Sequence, residues 1–392
     1  MTLATATTLR AQLEEARRRS DQIFGLLAPG ALYDRAVDER HRFLFYLGHL
    51  EAFDWNLLCK HAMAMPPFQA SFDQLFAFGI DPDASGLPTD GPGDWPTEEE
   101  VQSYCSRVRG TVDRILDQAP EQLVHVAIEH RLMHAETLAY LLHNMPLDRM
   151  IPHEAPTGGS PETAADNRWC VVRAGVASLG MERGSGFGWD NEFPLTRVSV
   201  PEFAIAKYKV SNGDYLRFVM DGGTPSHFWR YDDGDWKLRT MFAEIALPLD
   251  WPVYVTQAQA RDYAAWSGGR LATEAQYHRA AEGAPESACG NVDFRGWDPV
   301  SVQADAEGDS HWGVSQLVGN GWEWTRDLFR PFPGFEPFEF YPGYSANFFD
   351  EDHYVMKGGS PRTAEKMLRR SFRNWFRDDY KYVFATFRCV DE

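Results

Sequence analysis

His130 and His134 stand four positions apart in the run His130-Arg131-Leu132-Met133-His134-Ala135-Glu136. On a helix turning ~100° per residue they share one face a turn apart, so both imidazoles can reach a single ion. Glu136 falls roughly 200° round from His134. It is therefore expected to orient a ligand or make a structural bond rather than to bind the ion. A third ligand has to come from another helix. His49 is the best candidate, because it lies within an apolar run from Phe43 to Leu58, where an unpaired imidazole would be costly to bury. His41, His125 and His143 are the alternatives. Three neutral imidazoles with open coordination positions suit Zn²⁺ carrying a water, or Fe²⁺, and spacing does not decide between them.

Helices must carry these residues. Apolar periodicity predicts one over residues 7–27 and a second over 38–63. A third starts at Thr97-Glu98-Glu99-Glu100 after Pro96, where an acidic first turn suits the positive end of the helix dipole, and a fourth runs over 120–144. Four such helices with polar connectors imply an antiparallel bundle. The Pro-, Gly- and Asp-rich stretch 80–95 reads as a loop. Over 152–168 the texture changes to a linker, and long helical periodicity then largely disappears. Short strand-like pieces follow (198–200, 203–206, 354–356), with helices over 256–267 and 273–282 among Gly- and aromatic-rich loops. This gives an α+β second domain and a division into residues 1–158 and 159–392.

The 392 residues include 44% hydrophobic and 24% charged side chains, a globular balance. Lys and Arg number 38 against 57 Asp and Glu, a net charge of −19, and such a field disfavours nucleic-acid and anionic-membrane partners. No apolar run approaches the roughly 20 residues of a membrane span. Met1 to Arg19 lacks a signal-peptide pattern, and the five cysteines (59, 105, 170, 289, 389) form no Cys-x-x-Cys. A cytoplasmic, reducing location is expected.

The bundle histidines, followed by an ordered set of segments, resemble a known family along nearly the whole chain. The His49 helix with His130-x3-His134-x-Glu136 is similar to the metal motif of DinB-like domains in ergothioneine-biosynthesis sulfoxide synthases. The second half resembles the formylglycine-generating-enzyme (sulfatase-modifying factor) fold, a C-type-lectin-like module. Its matching segments are residues 187–192, 208–215, 269–275, Gly319-Asn320-Gly321-Trp322-Glu323-Trp324-Thr325, 358–360 and 384–388. The resemblance implies a mononuclear non-haem Fe²⁺ enzyme using O2, with His49, His130 and His134 as ligands. It implies that hercynine (N-trimethylhistidine) and a sulfur donor bind at the iron, and that a bond forms between the sulfur and imidazole C2. It places Tyr341 near the iron as the donor of a proton or hydrogen atom, and Tyr344 where the substrate imidazole is held. Arg373-Asn374-Trp375-Phe376-Arg377 matches the substrate-binding loop, with Asn374 and Trp375 expected at the betaine end of hercynine. Arg373, Arg377 and Asp378 are candidates for the donor's polar tail. Trp322 and Trp324 are expected to be scaffold.

Two departures bear on the donor. Phe376 stands where members using γ-glutamylcysteine carry an acidic residue, and Met133 stands where many have glutamine. Cysteine is therefore expected, or a selenosugar as in the similar selenoneine synthases, with γ-glutamylcysteine less favoured. Three other readings compete. A formylglycine-generating oxidase needs a cysteine pair to hold copper, yet only Cys389 is present near the C-terminal strand. A Zn²⁺-dependent DinB-type thiol transferase or hydrolase would use the same histidines. A non-catalytic lectin-like binding module would need none of this chemistry.

Overall fold

The computed structural model describes residues 8–77, 88–154, 156, 160, 168–285, 290–304 and 308–391. The loop expected over 80–95 and the linker over 152–168 lie partly outside these residues. The chain divides into two compact units, Met1–His153 and Glu154–Glu392.

The first unit is helical. Its elements are α1 (Leu9–Phe24), α2 (Phe43–Asp54), the short α3 (Ala70–Leu75), α4 (Glu98–Ile115) and α5 (Glu121–His143). Thr8 caps α1 by accepting from Ala11 N, and Thr97 with Glu100 forms a reciprocal capping box at α4. α1 and α4 are amphipathic, with buried stripes of Leu13, Ala16 and Ile23 and of Val101, Val108 and Val112. By contrast α2 and α5 are buried on nearly every side and form the centre. α1 packs on α5, α4 on α2, and α2 on α5. The second helix begins at Phe43, later than periodicity suggests. The chain at Arg42 is extended, and its guanidinium is bound to Asp90 and the Tyr33 carbonyl. From Trp55 to His61 the same helix widens into a π-helix, a change of winding that apolar spacing does not register.

The second unit is α+β. Its strands are β1 (Trp169–Val172), β2 (Gly175–Leu179), β3 (Thr196–Val200), β4 (Phe203–Ala206), β5 (Trp229–Asp232), β6 (Asp235–Arg239), β7 (Glu244–Ala246), β8 (Arg270–Leu271), β9 (Trp322–Leu328), β10 (His353–Lys357), β11 (Asn374–Arg377), β12 (Ala385–Thr386) and β13 (Cys389–Asp391). They form four-stranded sheets in the orders β1-β4-β13-β8 and β11-β10-β9-β12, plus the hairpin β2-β3 and the ribbon β5-β6-β7. Accompanying them among the described residues are the α-helices α6 (Asn212–Met220), α7 (Gln257–Trp266), α8 (Glu274–Ala280) and the one-turn α9 (Gly343–Ala346). Ser211, Thr256 and Thr273 start α6, α7 and α8 with capping boxes. The helices expected over 256–267 and 273–282 are thus present, whereas α6 was not anticipated.

The signature around Trp322 is framework. Trp322 and Trp324 are buried on β9, and the Trp324 indole donates to the Val255 carbonyl at 2.9 Å. Between them Glu323 accepts from Lys209 at 2.6 Å and from Arg388 at 2.9 Å. These paired charges tie β9 to segments flanking β4 and β13, and each compensates the other's loss of water. No described helix is long and apolar enough to cross a membrane.

Candidate functional site

α2 and α5 bring His49, His130 and His134 together. All three are buried, and each offers one ring nitrogen within 4.8 Å of the others. The Nε2 atoms of His130 and His134 lie 3.2 Å apart. Glu136, His41, His125 and His143 contribute no atom to this cluster. His41 instead stacks on Phe45, and His125 faces Glu121 at 3.6 Å.

Burial holds the rings neutral, which is the form with a lone pair to give. It drives His49 down to about 4, against the opposing bond to Phe76, and carries His130 and His134 well below the ordinary imidazole value. The Nδ1 of His49 donates to the Phe76 carbonyl at 2.7 Å, which leaves its Nε2 as the free lone pair. The Nδ1 atoms of His130 and His134 are buried without a hydrogen-bond partner among the described residues. Two ligand nitrogens each about 2.1 Å from an ion, at right angles, are about 3 Å apart. The spacing and the neutral nitrogen set therefore fit one divalent transition-metal ion. Aromatic rings fix the imidazoles: Phe53 lies flat on His130 with centroids 3.4 Å apart, and Phe45 stacks on His49 at 5.1 Å.

Sequence reasoning missed what sets the two helices against each other. Arg131, between the α5 histidines, is buried and donates to Glu51 Oε1 at 3.0 Å, Asp54 Oδ2 at 2.8 Å and the Leu50 carbonyl at 3.1 Å. Arg109 of α4 reaches the same Glu51 oxygen at 2.7 Å, and Arg17 of α1 lies 3.7 Å from Asp54. Burial alone would raise the Glu51 carboxyl, but Arg131 and Arg109 hold it below its usual value. The network clamps α2 to α5 and so sets their separation and rotation. Its signal was visible as Glu51, Asp54 and Arg131 inside otherwise apolar runs. Arg131→Ala would leave two carboxylates buried without it and is expected to cost about 3–5 kcal/mol. Urea denaturation of the metal-free protein measures this, and a loss below about 1 kcal/mol would deny the clamp its role.

In the second unit, residues 187–192 form the platform for the tyrosine segment. Asp190 accepts from the Ser345 hydroxyl of α9, and Asn191 Nδ2 donates to that hydroxyl at 2.9 Å. Trp189 is buried and stacks on Tyr344 at 3.9 Å. Glu192 accepts from Trp189 N, from Arg369 at 2.7 Å and from the Ser371 hydroxyl at 2.7 Å. Tyr344 is buried, while Tyr341 is half-buried with its ring 5.6 Å from that of Tyr344.

The residues of β11 part company. Side chains alternate along a strand. Trp375 lies flat on Phe329 at 4.2 Å and edge-on to Tyr344 at 5.5 Å, with Phe348 also at 5.5 Å. Phe376 takes the other face and stacks on Tyr380 at 4.9 Å. Phe376, expected among the substrate-binding residues on the donor side, thus faces Tyr380 while Trp375 faces Tyr344. Arg373, a candidate for the donor's polar tail, already has protein partners. It is buried, donates to Glu274 at 3.1 Å and to the Arg330 carbonyl at 3.0 Å, and lies over Phe332. Burial would raise the Glu274 carboxyl, yet Arg373 and Lys357 bring it down to about 2. Asn374 is half-buried and its Oδ1 accepts from Trp375 N, Arg377 is exposed, and Met133 is half-buried beside His134.

Residues 158–392 match the family of the sulfatase-modifying factor enzyme 1-like domain. Similarity to whole proteins extends into the helical unit. The chain is 30% identical over 367 residues to the hercynine oxygenase of Mycolicibacterium thermoresistibile, covering 82% of this chain and 80% of that protein. It is 32% identical over 341 residues to the hercynine oxygenase of Mycolicibacterium smegmatis, covering 74% and 77%. Ergothioneine biosynthesis protein 1 of Neurospora crassa is 27% identical over 489 residues, which cover 93% of this chain and 55% of that protein. The chain thus spans about half the length of its fungal relatives. It belongs to the hercynine-oxygenase family, in which a DinB-like helical bundle is fused to a sulfatase-modifying-factor domain.

Proposed function

We propose that this chain is an Fe²⁺- and O2-dependent enzyme that joins imidazole C2 of hercynine to the sulfur or selenium of a small donor. The observation that carries the reading is the cluster of three buried, neutral imidazoles from α2 and α5, in a chain whose relatives are named hercynine oxygenases. His49, His130 and His134 would hold the iron. When bound, iron supplies a redox-active dication able to accept both a thiolate and O2.

For a thiol donor the balance is closed by O2 alone. The S–H and C2–H bonds break and a C–S bond forms. One oxygen atom ends on sulfur, and the other leaves as water with the two hydrogens. The protein's own contribution is binding and proton handling. Tyr341 is assigned the delivery of a proton from its phenol oxygen. Tyr344, fixed against Trp189, is assigned to the substrate imidazole. A trimethylammonium group donates no hydrogen bond and is recognised by aromatic faces, the role assigned to Trp375 with Asn374 beside it. Arg377 and Met133 are assigned to the donor side. Arg373, matched by Glu274, frames the loop. The donor is cysteine or a selenosugar, with γ-glutamylcysteine less favoured.

The test is O2 uptake by iron-loaded protein given hercynine with cysteine, γ-glutamylcysteine or a selenosugar, with products read by mass. Uptake that needs both substrates is expected. With cysteine the product should equal the two substrates plus one oxygen and minus two hydrogens. No uptake with any donor would contradict the reading. Because three neutral imidazoles also suit zinc, thiol turnover without O2 under zinc loading would favour a transferase or hydrolase instead.

A further inference from the structure

We infer that Gly48 and Phe76 act together as a positioning device for the metal ligand His49. The inference rests on the proposed metal role of the three histidines and adds what aims one of them.

Gly48 lies inside α2, where glycine costs about 1 kcal/mol relative to alanine and the ordinary helical backbone asks for no special conformation. Space accounts for its presence. A Cβ at this position would stand 2.6 Å from the Cδ1, Cδ2 and Cε1 atoms of Phe76, far inside van der Waals contact. The Phe76 ring has little room to retreat. It is fully buried and faces Phe72 at 5.6 Å, Tyr104 at 6.1 Å, Trp95 at 6.3 Å and Phe45 at 6.4 Å. Its backbone is anchored as well. Phe76 closes α3, and Asp73 of that helix accepts from the Tyr104 hydroxyl at 2.8 Å and from Phe68 N at 2.7 Å.

The anchored carbonyl of Phe76 takes the Nδ1 proton of His49 at 2.7 Å. Among the described residues the Nδ1 atoms of His130 and His134 have no such acceptor, so His49 is the ligand whose tautomer and ring plane the described protein fixes by a hydrogen bond. The absent side chain at Gly48 lets the Phe76 ring lie against α2, and that brings the carbonyl within reach of the next residue, His49. Filling the gap pushes Phe76 away and releases His49.

Co²⁺ titration followed by d–d absorption tests this without turnover, using full-length wild type, Gly48→Ala, Phe76→Leu and the double variant. Gly48→Ala is expected to bind Co²⁺ about 10- to 100-fold more weakly, the usual loss for removing a ligand's orienting partner. Phe76→Leu keeps the carbonyl and removes the ring, so adding it to Gly48→Ala should restore most of the affinity. Losses that simply add, or a Gly48→Ala protein that binds like wild type, would overturn the inference. Should Gly48→Ala alone prevent folding, the double variant is compared with Phe76→Leu. Equal affinity supports the device, and a tenfold loss overturns it. A wild-type protein that binds no Co²⁺ would instead overturn the metal reading itself.

Discussion

His130→Ala is expected to abolish tight iron binding, leaving less than about a tenth of the wild-type stoichiometry after anaerobic loading and gel filtration. Three neutral nitrogens are a small donor set, to which no carboxylate or thiolate among the described residues adds charge attraction. Removing one leaves His49 and His134, and two imidazoles hold Fe²⁺ poorly. The deleted ring also packs flat on Phe53 and lies 3.2 Å from His134, so its loss loosens a second ligand. A thermal shift separates this from general damage. Ligand that binds only the native state raises the midpoint, so iron should raise it for wild type and not for the variant. His125→Ala, whose ring faces Glu121 outside the cluster, should keep its iron. Full iron occupancy in His130→Ala would mean that the ligand set is wrong.

The second large effect is expected at Tyr341. Tyr341→Phe removes one oxygen and keeps the ring that neighbours Tyr344 at 5.6 Å. If the phenol delivers a proton, product formation should fall by about 10²–10⁴-fold. Hercynine affinity should change by no more than roughly threefold, because the residues assigned to hercynine, Tyr344 and Trp375, are untouched. Rapid-quench product analysis beside calorimetric titration of hercynine reads both quantities. Unchanged turnover would remove Tyr341 from the mechanism, and lost binding with unchanged chemistry would reassign it to the substrate surface.

Much of the site was legible because its signals are local. His130 and His134 announce themselves by a one-turn spacing, and His49 by being polar in an apolar run. The same logic extends to Arg131, Glu51 and Asp54. They were passed over although charges within buried helices must find one another, as they do at 2.8–3.0 Å. Other features leave no trace in residue type. The acceptor for His49 is a backbone carbonyl 27 positions away, and any residue at position 76 would supply one. Gly48 reads as a weak helix position until the Phe76 ring is seen against it. On β11 the residue types of Asn374-Trp375-Phe376 do not show which side chains share a face. Strand pleating sends Trp375 to Phe329 and Phe376 to Tyr380, a separation that follows only once the segment is known to be a strand. Arg373 resembled a substrate contact by type, and only the structure reveals Glu274 against it.

Anomalous diffraction at the iron edge from crystals of anaerobically loaded protein would decide whether imidazoles from two helices share one ion. A single strong peak bonded to nitrogens of His49, His130 and His134 is the predicted result. A peak elsewhere, or one that leaves His49 turned away towards another partner, would contradict it.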